Sequence, residues 1–203
     1  MDGIDISLVN RSLLRQRLGV VTQDPAWLPS SLRFNLDPEN SASDDEILNL
    51  LDDFGLRNSV ENGGGLDKEM EDFSFSFGQQ KLLLMVRAIL RKPTIVILDE
   101  PSSGCVFPLF FPPEKGISWL TNYIDRVDSD TEARMNDAVR TCFNDSTVIM
   151  VAHRLETMLD FDEVVVLDKG RVVESGPPLS LLREDGSRFK VLYEAGQTGM
   201  DRR

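Results

Sequence analysis

Apolar and polar positions along this chain follow two different periods, and the switches between them outline an α/β protein. In residues 43–54 the apolar residues Ile47, Leu48, Leu50, Leu51 and Phe54 fall on one helical face. Acidic residues crowd the first turn of that segment and Gly55 stands where it should stop. Residues 78–91 read as a second, leucine-rich helix ended by Pro93. Residues 94–98 and 147–152 are instead short continuous apolar runs, the pattern of parallel strands covered on both faces. Residues 18–22 make a third β-rich run, preceded by a short helix that Asn10 can cap and that runs to Arg17. Ser129 opens a helix to about Phe143, and residues 164–167 and 172–173 form a hairpin turned at Lys169-Gly170. Between these elements the pattern predicts a loop holding Pro25, Pro29 and Pro38, a flexible break at residues 62–65, and two short helices from Pro178 onward. No internal repeat is visible.

Composition narrows the class. A chain of 203 residues can bury a full core as one domain with room for a subdomain, and 41% hydrophobic with 28% charged residues is ordinary globular usage. The net charge of -12 argues against a nucleic-acid partner, whose backbone is held by Lys and Arg, and against direct binding to an anionic membrane surface. Cys105 and Cys142 make no disulfide or zinc framework and suit a reducing cytosol. No signal-peptide pattern occurs, and the apolar run near residues 106–111 is too short and too broken by proline to span a bilayer. A role at a membrane would be played from the cytosolic side or through segments outside this sequence.

Four positions carry candidate chemistry. Asp99 and Glu100 end a buried strand, and the carboxyl ends of strands in doubly wound sheets are where ligands bind. One carboxylate can hold Mg²⁺ directly or through water while the other orients or deprotonates an attacking water; two acids can also simply end a strand. Ser76-Phe77-Gly78-Gln79 opens the helix leading to that strand, where free N–H groups, a hydroxyl and a glycine make an anion site. Alternatively Phe73, Phe75 and Phe77 line one face of a strand. Gln23 follows the first strand, and a glutamine there means little alone. His153, the single histidine, follows the strand at 147–152, where such a residue is usually a satisfied surface or core group.

In the order Gln23, Phe75-Ser76-Phe77-Gly78-Gln79, Asp99-Glu100, His153, these pieces resemble the ATP-binding cassette of ABC transporters. The signature is similar to LSGGQ, with Phe75 for its leucine and Phe77 for its first glycine, a central substitution familiar in the C subfamily. Val20-Val21-Thr22-Gln23-Asp24-Pro25 and Leu32-Arg33-Phe34-Asn35-Leu36-Asp37-Pro38 resemble the Q-loop and its sequel in the second cassette of C-subfamily, multidrug-resistance-protein-type exporters. The resemblance implies an α/β, P-loop NTPase-type (RecA-like) parallel sheet core with a helical signature subdomain, truncated at its N-terminus. It implies Glu100 as general base, with His153 contacting the γ-phosphate as the second catalytic residue. Asp99 and Gln23 would serve Mg²⁺, and Gln23, Ser76, Gly78, Gln79 and Asp128 the ATP, the signature residues reaching a nucleotide held by the partner cassette. The implied organisation is one partial nucleotide-binding domain over residues 1–203, with a helical subdomain at 24–92, a core at 93–175 and a tail at 176–203.

Two departures matter. No segment reads G-x-x-x-x-G-K-[ST], since Gly63-Gly64-Gly65 is followed by Leu66 and Asp67, so the chain is expected to begin after the P-loop and its adenine-stacking aromatic. The family places a Ser-Ser-Val-Asp-like D-loop directly after the catalytic Glu, and removing residues 104–126 restores that run between Ser102-Ser103 and Val127-Asp128. The intervening residues lack helical or strand periodicity and read as translated intron or gene-model error, with a genuine surface insertion as the alternative. The expected function is an exporter's cassette, binding and hydrolysing ATP with Mg²⁺ and working with a second cassette and transmembrane domains at the cytosolic face of a membrane, without nucleic acid. Whether this polypeptide is itself an enzyme stays open, because the P-loop is missing; alone it would be cytoplasmic. The alternatives are an inactive truncated cassette serving as an interaction module and a soluble, non-transport ABC ATPase, against which the exporter-like Q-loop and the lack of coiled-coil heptads speak.

Overall fold

The computed structural model describes residues 3–101, 129–152 and 154–200, which fall into two compact units divided after Val151. The segment 104–126, Asp128 and His153 lie outside the described residues.

In the first unit three parallel strands, β1 (Leu18–Val21), β2 (Ile95–Asp99) and β3 (Thr147–Val151), pair in that order, with β2 in the middle. Val20 stands opposite Ile97 and Ile97 opposite Ile149, so side chains alternate between faces in phase across the sheet. Parallel strands need long crossovers, and helices fill them here. Helix α1 (Arg11–Arg17) leads into β1, its first turn capped by Asn10, whose Oδ1 accepts the Ser12 amide at 2.8 Å. Between β1 and β2 come α2 (Leu32–Leu36), α3 (Asp44–Asp53), α4 (Arg57–Gly63) and α5 (Phe77–Leu90). Ser43 caps α3 through the Glu46 amide, three acids occupy its first turn, and Gly55 leaves it at φ 69°, a left-handed conformation that costs glycine little. Helix α6 (Ser129–Cys142) precedes β3.

The core gathers around α5. Leu82, Leu83, Leu84, Met85 and Val86 are all buried, because α5 meets α2, α3, α6 and β1 on successive sides. Each large aliphatic side chain so removed from water contributes about 1.5–3 kcal/mol. Val21, Val96 and Leu98 bring the sheet into the same core.

Three features differ from the sequence expectation. Among the described residues the strands are covered on one face and not two: Val96 and Leu98 are fully buried, whereas Val20, Ile149 and Val151 on the other face are half exposed, at 54%, 50% and 53%. The break expected at 62–65 begins later, because Val60 is fully buried and anchors a helical turn that carries Asn62 and Gly63 into α4. Gly64 and Gly65, at φ 117° and 84°, then turn the chain. Gly63 is needed there, since a Cβ would come within 2.3 Å of the Phe73 ring.

The third difference is α2, a helix inside the proline-rich loop. Ser31 caps it and Asn35, only 2% exposed, organises its approach. The Asn35 amide nitrogen donates to the carbonyls of Leu28, Ser30 and Ser31 at 3.0–3.2 Å, and its Oδ1 accepts the Leu28 amide at 2.9 Å. Asn35→Ala is expected to cost about 2 kcal/mol by orphaning these backbone groups, seen as a lower urea midpoint at unchanged slope.

The second unit holds an antiparallel hairpin, β4 (Val164–Asp168) and β5 (Arg171–Gly176). Its two turn residues, Lys169 and Gly170, have φ 48° and 74°, the double left-handed turn that matches strand twist. Helix α7 (Pro178–Leu181) starts with proline, and α8 (Arg188–Met200), at 13 residues, is longer than the short helix expected. Glu174 of β5 ties the hairpin to α8: its carboxylate accepts the amides of Phe189 at 2.7 Å and Arg188 at 3.1 Å, and the Ser187 hydroxyl at 3.1 Å. These bonds, the Phe189 amide foremost, hold the Glu174 carboxyl below the usual glutamate range. A depressed folded value means the tie is fully present above the ordinary glutamate pKa and is lost as pH falls through the lower, folded one. Acid should therefore lower the protection of the Phe189 amide against hydrogen exchange, taken relative to the intrinsic rate at each pH, before the whole chain unfolds, and Glu174→Ala should remove that acid-dependent step.

Candidate functional site

Three of the candidate residues, Gln23, Asp99 and Glu100, meet at the carboxyl-terminal edge of the sheet. Because β1 and β2 run parallel with Val21 opposite Leu98, their ends emerge side by side. Gln23 leaves β1 and Asp99-Glu100 leave β2, and the Gln23 amide nitrogen donates to Glu100 Oε2 at 3.4 Å, a long and weak bond between residues 77 apart in sequence. Asp99 is exposed at the strand end.

Glu100 has an unusual backbone. Its φ is 45°, in the left-handed region that a residue with a Cβ seldom enters, and it precedes Pro101, a position that normally favours extended chain. Such a conformation costs about 1–3 kcal/mol and persists only where its surroundings enforce it. Here the Glu100 amide donates to the Val151 carbonyl at 2.9 Å, and its carbonyl accepts from the Lys81 ammonium at 3.2 Å. Lys81 escaped the sequence reading; the signal was a cation one turn after Phe77, directly before Leu82-Leu83-Leu84-Met85 on a helix that is largely core.

The oxygen donors suit a small hard cation. Carboxylates of Asp99 and Glu100 are Mg²⁺ ligand types, and Gln23, having turned its nitrogen to Glu100, retains its amide oxygen. Among the described residues no three His, Cys, Asp or Glu cluster as a stand-alone metal cage. Mg²⁺ that arrives with a nucleotide needs no cage, because one or two carboxylates suffice where phosphate oxygens supply the rest.

At the signature, Ser76 caps α5 in a reciprocal box: its Oγ accepts the Gln79 amide at 3.2 Å while Gln79 Oε1 accepts the Ser76 amide at 2.9 Å. Gln79 also donates to Ser59 Oγ at 3.3 Å. Gly78 is buried, and a Cβ there would sit 3.3 Å from Thr131 Oγ1, so this glycine lets α6 approach α5. The phenylalanines do not form a strand face. Phe73 and Phe75 stack at 4.8 Å between ring centroids in an unpaired extended lead-in, and Phe77 is already the first residue of α5.

The family description for ABC transporters matches residues 1–103, just over half of the chain. The chain belongs to the ABC transporter family. Among its relatives, ABC multidrug transporter B of Aspergillus fumigatus is 38% identical over 193 residues, covering 95% of this chain and 12% of that protein. ATP-binding cassette sub-family C member 2 of Rattus norvegicus is 37% identical over 199 residues, covering 97% and 12% respectively. ABC transporter C family member 2 of Dictyostelium discoideum is 35% identical over 206 residues, covering 96% and 13%. A solved bacterial Atm1-family ABC exporter with ATP bound superposes with TM-score 0.75 at 26% identity, covering 96% of this chain and 31% of that one. This ABC chain therefore spans about an eighth of the length of these curated relatives, and it is homologous to exporter cassettes with a P-loop NTPase-type α/β fold. Among the described residues no helix is long and apolar enough to cross a membrane.

Proposed function

We propose that this chain forms the signature helix, Q-loop and carboxylate edge of an exporter's cassette, and that the intact protein couples ATP binding and hydrolysis to transport across a membrane. The observation that carries the reading is the meeting of Gln23 with Glu100 at 3.4 Å, beside Asp99, on adjoining parallel strand ends. In this reading Mg-ATP supplies the leaving group and the charge neutralisation of phosphoryl transfer. The chain's own residues do the rest: Glu100 takes the proton from an attacking water at its carboxylate, Gln23 orients that carboxylate, and Asp99 provides the metal's carboxylate ligand. Ser76, Gly78 and Gln79 meet the phosphates of a nucleotide held by an opposing cassette, at the positive start of α5. Asp128 and His153 complete the set as interface and γ-phosphate contacts. The partner cassette and the transmembrane domains, at the cytosolic face of a membrane, are partners on the same footing.

The organisation proposed from sequence keeps residues 24–92 as helical subdomain, 93–175 as core and 176–203 as tail. Residues 104–126 read as non-native, because removing them restores the Ser-Ser-Val-Asp run. The second reading made from sequence, a non-catalytic module that completes a partner's site, is not favoured by the comparisons, whose matches are transporters and a solved exporter.

One experiment tests the shared part of both. The 203-residue chain alone should turn over Mg-ATP at background, yet sediment with a P-loop-bearing cassette when Mg-ATP is present. Ser76→Arg should abolish that association by blocking close approach. If Ser76→Arg associates as well as the parent, the signature assignment fails.

A further inference from the structure

Lys81 has none of its surface exposed, on a helix whose next five residues are also buried. Burying an ammonium is costly, so what its head meets matters. Its Nζ lies 3.2 Å from the Glu100 carbonyl and 5.2 Å from the centroid of the Phe77 ring, so one side of the cation meets a backbone dipole and another the face of an aromatic ring. The residue it grips is the one whose backbone is strained, at φ 45° before Pro101. Proline has no N–H with which to anchor the following peptide, so the carbonyl of Glu100 is the handle available on that side.

We propose that Lys81 is a positioning residue: by clamping the Glu100 carbonyl it keeps Glu100 in the left-handed conformation that directs its carboxylate to Gln23. Rotation of Glu100 to the extended conformation preferred before proline would swing both its carbonyl and its side chain, so the bond to Lys81 and the bond to Gln23 belong to the same backbone state. The Val151 carbonyl fixes the amide side of the residue, and Lys81 fixes the carbonyl side. The clamp also joins the helix that begins at the signature to the carboxylate edge, since Lys81 lies five residues after Ser76 on α5. The catalytic meaning of this clamp rests on the reading of Glu100 as general base.

The test starts with the 203-residue chain itself, by nuclear magnetic resonance. A left-handed residue brings its own amide and α hydrogens close together, so the parent should show a strong intraresidue amide–Hα Overhauser effect at Glu100, and Lys81→Met should lose it. A folded Lys81→Met that keeps this signal overturns the proposal. A stability cycle covers the case of misfolding, because glycine adopts this conformation without strain. Lys81→Met should shift the urea midpoint less in a Glu100→Gly background than in the parent, or fold only in that background. Equal shifts, or failure to fold in both, mark Lys81 as a packing residue and overturn the clamp. With a P-loop segment placed ahead of the whole chain, Lys81→Met should lower kcat on the order of a hundredfold, the scale of a 1 Å misplacement, at unchanged KM for ATP. Glu100→Gln is the control in that assay. If Glu100→Gln leaves turnover intact, the general-base reading fails while the Overhauser result still decides the clamp. If Glu100→Gln abolishes turnover and Lys81→Met keeps kcat, the positioning role fails instead.

Discussion

Glu100→Gln, in this chain carried behind a P-loop segment and paired with an intact cassette, is expected to lower ATP turnover by about 10²–10⁴-fold, the usual range for a lost general base. The exchange keeps the size of the side chain and its ability to accept from Gln23 at 3.4 Å, so the site should hold its shape and lose only the group that takes the proton. ATP-dependent association with the partner should persist and outlast that of the parent, since the bridging nucleotide is no longer consumed. Turnover assays and sedimentation on the same samples check both halves. Loss of association together with turnover would mean that Glu100 holds the fold of this edge and does not act on water.

The second large effect is on stability. Leu98→Ala is expected to cost about 2–5 kcal/mol, because Leu98 is fully buried in the middle strand with Val21 and Met150 opposite it on either side. Shrinking it opens a cavity between the sheet and α5, and it lies immediately before Asp99. Val20→Thr, on the half-exposed face of the neighbouring strand, should change stability by only about 0.5 kcal/mol or less. Equilibrium urea unfolding of both variants separates the covered face from the open one. Equal costs would contradict the one-sided burial described above.

The elements that sequence made legible are those whose signals are local. Pro93 ends α5, Ser43 and Gly55 bracket α3, and Lys169-Gly170 turns the hairpin, each through the conformation of one or two residues. Less legible were elements set by distant partners. Helix α4 looked like a break because Asn62 and Gly63 disfavour helix, and only burial of Val60 and the Phe73 ring over Gly63 explain it. Helix α2 hides among prolines, and its organiser Asn35 is an unremarkable residue until its four bonds are seen. An apolar run such as β3 reads the same whether one face or both are covered, so the exposure of Ile149 and Val151 could not be read from their hydrophobicity. At the site, Gln23 and Glu100 meet at 3.4 Å although 77 residues separate them, a contact that no local pattern shows. The backbone of Glu100 was illegible, because Glu-Pro predicts extended chain and the enforcing contact comes from Lys81 on another element.

The cap on α5 constrains what Ser76 can recognise. A hydroxyl accepts and donates independently, and the Gln79 amide occupies the accepting side of Oγ while its proton can still point outward. Ser76 thus still has its hydrogen to offer an incoming group, which suits phosphate oxygens. Aspartate at this position would close the helix just as well and carry no hydrogen to offer, adding a negative charge where one is to be received. In the proposed reading, holding the helix and meeting the anion are therefore separable duties of one oxygen atom, distinguished by which residue types can perform the first without the second.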